Sequence, residues 1–177
     1  MIPLRRTNNK ISEKWPKNII IHHTACKLDI TPIRLDKANF QTDKFELLNA
    51  QLLNRPGSSG FNFIIEKVHG DYTVVVSQPL LTICEWDDIS PEYENAVHIG
   101  LLGNYDIEIP TRRLYKVLSF EIIIPLMRLF GIKQNDILLY NTISEDEISC
   151  PGENFNIGIL YEEINSLYQK KRVRRNI

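Results

Sequence analysis

Two histidines and a cysteine are the residues of this 177-residue chain whose types and positions suit metal or nucleophilic chemistry. His22 and His23 follow a β-branched run that predicts a buried strand, and Cys150 precedes Pro151 and Gly152 in a predicted loop. Imidazole and thiolate are both good zinc ligands, and a thiolate beside an imidazole is also a nucleophile with its base. Spacing alone does not choose between these roles and buried structural side chains.

The adjacent histidines have different expected roles. Successive side chains of a strand point to opposite faces, so we expect His22 at the site and His23 packed or hydrogen-bonded behind the sheet. His98 opens a later predicted strand, where it can line the same site or pack in the core. His69 falls in a predicted turn and is expected to be exposed.

Two runs of like charge have simple explanations. Glu145, Asp146 and Glu147 are typical of a solvated acidic turn rather than an acid–base pair. The basic run at residues 170–175 suits a solvated helix end that complements the helix dipole. An anionic partner is the alternative for the basic run.

Hydrophobic patterning predicts a single α/β domain. Short β-branched or apolar runs predict strands, and apolar residues at three- and four-residue spacings predict helices. The predicted strands cover residues 18–22, 61–67, 72–77, 96–102 and 137–140, and the predicted helices 36–54, 111–130 and 156–169. Pro125 should kink or divide the second helix. This order indicates a mixed central β-sheet flanked by helices over residues 18–169, after an N-terminal segment, 1–17, and before a basic tail, 170–177.

Composition excludes several classes of function. Lys and Arg total 21 against 22 for Asp and Glu, and the net charge of −1 argues against broad nucleic-acid binding. No apolar run approaches the roughly 20 residues that span a bilayer, and no secretory signal is evident at the start. Cys26, Cys84 and Cys150 form no CxxC pair, so we expect reduced thiols and a cytoplasmic or virion-associated protein.

Four short motifs occur in a characteristic order. They are IIIHHTA at residues 19–25, GFNFII at 60–65, HIGLLGNYD at 98–106 and CPG at 150–152. Together they resemble the zinc N-acetylmuramoyl-L-alanine amidase and peptidoglycan-recognition family, which includes phage-type lysozymes that are amidases. The resemblance extends from about residue 18 to residue 168, nearly the whole chain.

The resemblance implies a mixed sheet with zinc at one end of a peptidoglycan groove. In active members, two His and one Cys or Asp hold the ion, and its bound water cuts the amide between the lactyl group of N-acetylmuramic acid and L-alanine. A Tyr, together with a Lys or Thr near the Cys, assists the oxyanion. Carried over to this sequence, His22 looks like the first metal-binding His and Cys150 matches the cysteine of CPG.

This chain departs from that pattern at three positions. The second metal-binding His would fall at Thr142, next to Asn141, and neither residue is an ordinary zinc ligand. Phe61 replaces the assisting Tyr and Ile148 the Lys or Thr, and loss of an oxyanion donor costs about 2.7–4 kcal/mol of transition-state stabilisation. Zinc binding is therefore expected to be weak or absent unless a residue such as Asn141 or His98 completes the ligand set.

Three functions from different classes follow. The first is a pseudoenzyme that binds a peptidoglycan fragment or another peptide with little or no hydrolysis, with Trp86, Asn104 and Tyr105 as groove contacts. The second is an active zinc N-acetylmuramoyl-L-alanine amidase whose missing ligand comes from elsewhere in the chain. The third is a structural or interaction protein, such as a phage particle component, that reuses the fold to bind a protein partner.

Overall fold

The computed structural model describes residues 14–24, 61–81, 83–84, 86 and 88–173, with side chains as far as residue 166. Its strands are β1 (Ile19–His23), β2 (Phe63–Val68), β3 (Asp71–Val76), β4 (Val97–Leu101) and β5 (Ile137–Leu139). They form one five-stranded sheet in the order β3-β2-β4-β1-β5. β1 is parallel to β4 and β5, whereas β2 is parallel to β4 and antiparallel to β3. The predicted mixed sheet is confirmed.

Burial along the strands explains why their sequences differ. β1 and β4 lie in the interior of the sheet and are buried at every position, which suits their continuous apolar runs. β3 lies at an edge, and its more exposed positions include Asp71 and Thr73. The β2–β3 hairpin turns at His69 and Gly70, which adopt φ angles of 50° and 91°. His69 is exposed there, as the sequence predicts.

A long helical stretch follows β4. It consists of α1 (Arg112–Val117), a π-helical turn (Leu118–Ile123) and α2 (Ile124–Phe130). The Thr111 hydroxyl oxygen caps its start by accepting the Leu114 N–H at 3.2 Å, and Gly131 ends it with φ of 73°. The expected division near Pro125 takes the form of the wider π turn just before the proline, which cannot supply a regular helical N–H.

The two faces of the sheet are covered by different residues. Ile19 and Ile21 of β1 belong to the main apolar core, which also contains residues of α1, the π-helical turn, α2 and α3 (Ile157–Val173). Ile20 lies on the opposite face, in a smaller cluster with Tyr140 and Trp86. The first face therefore carries the helices, and the second carries an aromatic cluster at the carboxyl end of β1.

Two further expectations concern parts of the chain outside this core. The helix predicted over residues 36–54 lies outside the described residues, as does Cys26. No helix in the described part of the chain has the length and apolarity needed to cross a bilayer. The strand predicted over residues 137–140 corresponds to β5. The helix predicted over residues 156–169 corresponds to most of α3.

Candidate functional site

A cavity of about 350 Å³ opens where β1 ends. His22 and Cys150, the two residues expected to bind metal, both line it. Phe61, Trp86 and Ile148 line it as well, although they come from distant parts of the sequence. The fold therefore brings together most of the residues that the sequence singles out.

His22 lies beside a glycine that makes room for an aromatic ring. β1 and β4 pair in a register that sets His22 next to Gly100. A Cβ atom at Gly100 would lie 2.6 Å from the ring of Phe61, which is closer than packed atoms approach. The Phe61 and His22 ring centroids are 5.2 Å apart. Gly100 thus allows Phe61, a ring without a hydroxyl, to pack against His22.

His22 also meets a second buried histidine. Nε2 of His22 and Nδ1 of His98 are 2.9 Å apart, so one imidazole donates a hydrogen bond to the other. Burial, with a smaller effect of the neighbouring histidines, lowers the pKa of His22 well below its ordinary value of 6.5. Burial lowers the pKa of His98 to about 3. Both rings are therefore uncharged at neutral pH.

Two larger rings complete the surroundings of His22. Trp86 stacks on His22 with centroids 4.6 Å apart, and Tyr140 packs on it at 4.3 Å. The Tyr140 hydroxyl donates a hydrogen bond to the Asp88 carboxylate, which also accepts the Ser144 hydroxyl at 2.7 Å. Burial and the hydrogen bond to Asp88 raise the pKa of Tyr140. The phenol is thus held by Asp88 as a neutral donor.

His23 has different hydrogen-bond partners from His22, as alternation along a strand predicts, but it also lines the cavity, which the expected place behind the sheet did not include. Its Nδ1 accepts the Tyr105 N–H at 3.2 Å, so the proton of the neutral ring lies on Nε2. Nε2 faces the Asp106 carboxylate at 4.0 Å. Burial lowers the pKa of His23, while Asp106 acts in the opposite direction. The backbone N–H of His23 donates to Cys150 Sγ at 3.2 Å and ties β1 to the CPG loop.

Asn141 and Thr142 stand on a short helix, Tyr140–Thr142, directly after β5. Both are exposed, and neither is among the described residues that line the cavity. The Thr142 hydroxyl donates to the Leu139 carbonyl at 2.6 Å. The Asn141 N–H donates to the Cys150 carbonyl at 2.7 Å, so this helix contacts the CPG loop through its backbone.

The described residues do not fit a three-ligand zinc site. His98 engages Nε2 of His22, whereas Nδ1 of His22 has no hydrogen-bond partner among the described residues, and Cys150 Sγ accepts a backbone N–H. Within the described ranges, no three His, Cys, Asp or Glu side chains are grouped so that they could hold one ion.

The three expected groove contacts have different positions. Trp86 lines the cavity, but part of its ring face is covered by His22. Tyr105 is only 4% exposed and belongs to the main core, where its ring faces His23. Asn104 is half-buried, and its side-chain oxygen accepts the Asp106 N–H at 3.0 Å. Of the three, Trp86 alone is among the described residues that line this cavity.

Asp88 and Asp106 are the site residues that sequence reasoning missed as participants. Tyr140, directly before Asn141, is suggested by the sequence as a phenol that could turn toward the site, and the structure packs its ring on His22. Asp106 ends the HIGLLGNYD motif, which was the available signal for its importance. Cys84 is buried, and its thiol donates to the Asn62 side-chain oxygen at 3.6 Å.

The structure of this chain is similar to solved structures of other proteins, although its sequence gives no family match. No protein-family model and no curated protein matches the sequence. The structure is similar to the N-acetylmuramoyl-L-alanine amidase LysC from Clostridium intestinale URNW, with 21% identity, coverage of 88% of this chain and 90% of that chain, and a TM-score of 0.58. It is also similar to the Ph2119 endolysin from a Thermus scotoductus bacteriophage, with 17% identity, coverage of 90% and 92%, and a TM-score of 0.57.

Recognition proteins have the same architecture. The Drosophila peptidoglycan-recognition protein PGRP-LB, in a structure in complex with tracheal cytotoxin, is 17% identical, with coverage of 86% of this chain and 84% of that chain and a TM-score of 0.60. At such identities the likeness establishes the fold. The chain therefore has the mixed-sheet fold that N-acetylmuramoyl-L-alanine amidases, phage endolysins and peptidoglycan-recognition proteins share.

Proposed function

We propose that this protein binds a peptidoglycan fragment, or a related peptide, in the cavity at His22 and Cys150 with little or no hydrolysis. The proposal rests on the surroundings of His22 and Cys150: no group of three His, Cys, Asp or Glu side chains among the described residues could hold one ion, and His22 Nε2 is hydrogen-bonded to His98 Nδ1 at 2.9 Å. Phe61 supports it, because a phenyl ring has no hydroxyl with which to assist an oxyanion.

The cavity is suited to a ligand that offers both apolar and hydrogen-bonding surface. Trp86 and Phe61 supply aromatic side chains, and Ile148 supplies an exposed aliphatic side chain. An indole ring packs well on the apolar face of a sugar or on a peptide side chain. Recognition proteins of this fold are found in complex with tracheal cytotoxin, which supports a ligand of the peptidoglycan class.

Calorimetric titration with a soluble disaccharide–tetrapeptide fragment tests the binding step. Ile148→Arg adds a bulky cation at the cavity without disturbing the core, because Ile148 is 36% exposed. We expect this variant to weaken binding at least about tenfold, through steric exclusion from the cavity. Ile109→Arg is the matched control: Ile109 is 81% exposed and lies elsewhere, so its affinity should equal that of the wild type. Equal affinities in all three proteins would contradict binding in this cavity.

An active zinc amidase is the second candidate. The observation in its favour is that His22 and Cys150 line one cavity in a fold that amidases use. It requires a third ligand beyond those that the described residues bring together, and it predicts about one zinc per chain and release of free stem peptide. Absence of zinc, of turnover and of fragment binding would together favour the remaining candidate, a protein that contacts a partner in an assembly.

A further inference from the structure

Asp106, two residues after Asn104, makes three hydrogen bonds to the loop that follows β5. Its carboxylate accepts the Ser149 hydroxyl at 2.8 Å and the Glu153 N–H at 3.0 Å. Its backbone carbonyl accepts the Asn154 side-chain amide at 3.1 Å. One residue thus binds both ends of the segment 149–154, which contains Cys150.

Tyr105 brings the same segment close to the β4 side of the site. The Asn154 N–H donates to the Tyr105 carbonyl at 2.9 Å. A Cβ atom at Gly152 would lie 2.4 Å from the Tyr105 carbonyl carbon, and Gly152 has φ of 107°. Only glycine fits both the contact and this backbone conformation. The loop is therefore in direct van der Waals contact with the residues that precede Asp106.

The hydrogen bonds of Asp106 are directed at the wall of the cavity. Ser149 and Cys150 line the cavity, whereas Asp106 is not among the described residues that do so. Cys150 Sγ in turn accepts the His23 N–H at 3.2 Å. Without the Asp106 side chain, the loop would keep backbone hydrogen bonds to Tyr105 and Asn141 and the weak bond from the His23 N–H to sulfur, but it would lose the bonds at Ser149 and Glu153.

We infer that Asp106 is a positioning residue that holds the cavity wall, residues 149–154, against the end of β1. It acts through Ser149 and Glu153 and does not touch the ligand. The consequence for ligand affinity rests on the proposed function. The hydrogen bonds from Asp106 to Ser149 and Glu153, called the clamp below, do not depend on that function and are testable without any ligand.

The rate at which iodoacetamide alkylates Cys150 measures the clamp directly. Trypsin releases Cys150 within residues 134–170, a peptide with no other cysteine, so mass spectrometry follows it separately from Cys84. Asp106→Ala should speed alkylation of Cys150 about tenfold or more, because the lost hydrogen bonds favour local opening. Cys84, which is 1% exposed, should keep its wild-type rate.

A conservative variant separates positioning from general destabilisation. Asp106→Asn keeps an oxygen for the Glu153 N–H and offers an N–H to the Ser149 hydroxyl oxygen, so it should restore most of the protection of Cys150. Asp71→Ala, which removes a carboxylate bonded to Arg113 and to the Tyr72 N–H on β3, should leave Cys150 unchanged. Ser149→Ala removes the Ser149–Asp106 hydrogen bond from the loop side, so it should speed alkylation of Cys150 less than Asp106→Ala does. This variant also tests the inference if Asp106→Ala folds poorly.

The alkylation results have distinct meanings. Equal acceleration of Cys84 and Cys150 in both Asp106→Ala and Ser149→Ala would mean general unfolding and would overturn the inference, as would an unchanged Cys150 rate in both variants. Selective acceleration of Cys150 supports the clamp. If Asp106→Ala also binds the fragment more weakly, the clamp contributes to ligand binding. If the wild type binds no fragment, the proposed function is wrong, but the alkylation result still supports the clamp.

Discussion

His22 Nε2 and His98 Nδ1 form a hydrogen bond of 2.9 Å between the neighbouring parallel strands β1 and β4. Both side chains are at most 1% exposed. Each imidazole therefore satisfies one nitrogen of the other in a place that water does not reach. The pair gives His22 a protein partner at Nε2, whereas Nδ1 of His22 is buried without a hydrogen-bond partner among the described residues.

Replacement of His98 should destabilise the protein through His22. His98→Ala leaves Nε2 of His22 buried without this partner, and we expect the free energy of unfolding to fall by about 1–3 kcal/mol, with an additional loss from the cavity. Urea unfolding followed by far-UV circular dichroism measures the change. His69→Asn, in the exposed turn with φ of 50°, is a control whose stability should stay within about 0.5 kcal/mol. An equally small effect at His98 would contradict the pairing.

The buried histidines should make stability depend on pH below neutrality. Burial lowers the pKa of His98 to about 3, whereas an unfolded histidine titrates near 6.5. The unfolded chain therefore binds more protons in this window, and stability, which is full above about pH 6.5, is lost as the pH falls toward 3. The loss per histidine should be about 1.4 kcal/mol per pH unit well below pH 6.5.

Urea unfolding at pH 7.5, 6 and 4.5 in the presence of a chelator measures this dependence. The His98→Gln variant has no titratable side chain at position 98. Its free energy of unfolding should therefore fall less steeply than that of the wild type between pH 7.5 and pH 4.5. A pH dependence identical in the wild type and His98→Gln would show that His98 is accessible to protons in the folded protein.

Gly100 should be intolerant of a side chain because of Phe61. Gly100→Ala sets a methyl group 2.6 Å from the Phe61 ring, and we expect it to cost about 1–3 kcal/mol of stability. Phe61→Leu frees space, so the double variant should lose less than the sum of the two single losses. Additive losses in this double-mutant cycle would show that the two residues do not press on each other.

Zinc should have little effect on the purified protein. Because the described residues bring together no three-ligand set, we expect substoichiometric zinc by elemental analysis and a Tm within about 1 °C with zinc or a chelator, since binding to the folded state would raise Tm. His22→Ala and Cys150→Ser serve as matched variants. One zinc per chain in the wild type, lost in both variants, would favour the amidase.

The sequence predicts the sheet and helices well because their signals are local. The β-branched run before His22 and the alternating apolar runs around His69 need only their own residues to indicate strands. Pro125 likewise marks where the long helix changes its hydrogen bonding. The structure gives a physical reason for Gly100 in the HIGLLGNYD motif, because a Cβ atom there would lie 2.6 Å from the ring of Phe61.

The partners within the site could not be predicted in the same way. His22 and His98 are 76 positions apart, and their contact depends on the register of β1 against β4. Tyr140 reaches His22 only because β5 ends at Leu139 and the chain turns into a short helix. Such long-range relations follow from strand pairing, which the linear pattern does not encode.

The most direct test is equilibrium dialysis of a defined disaccharide–tetrapeptide fragment against the protein, with zinc present and mass spectrometry on both chambers. This measurement reads binding and cleavage in one sample. We predict that the fragment accumulates with the protein and keeps its intact mass. Equal concentrations in the two chambers, or the appearance of free tetrapeptide, would contradict recognition without hydrolysis.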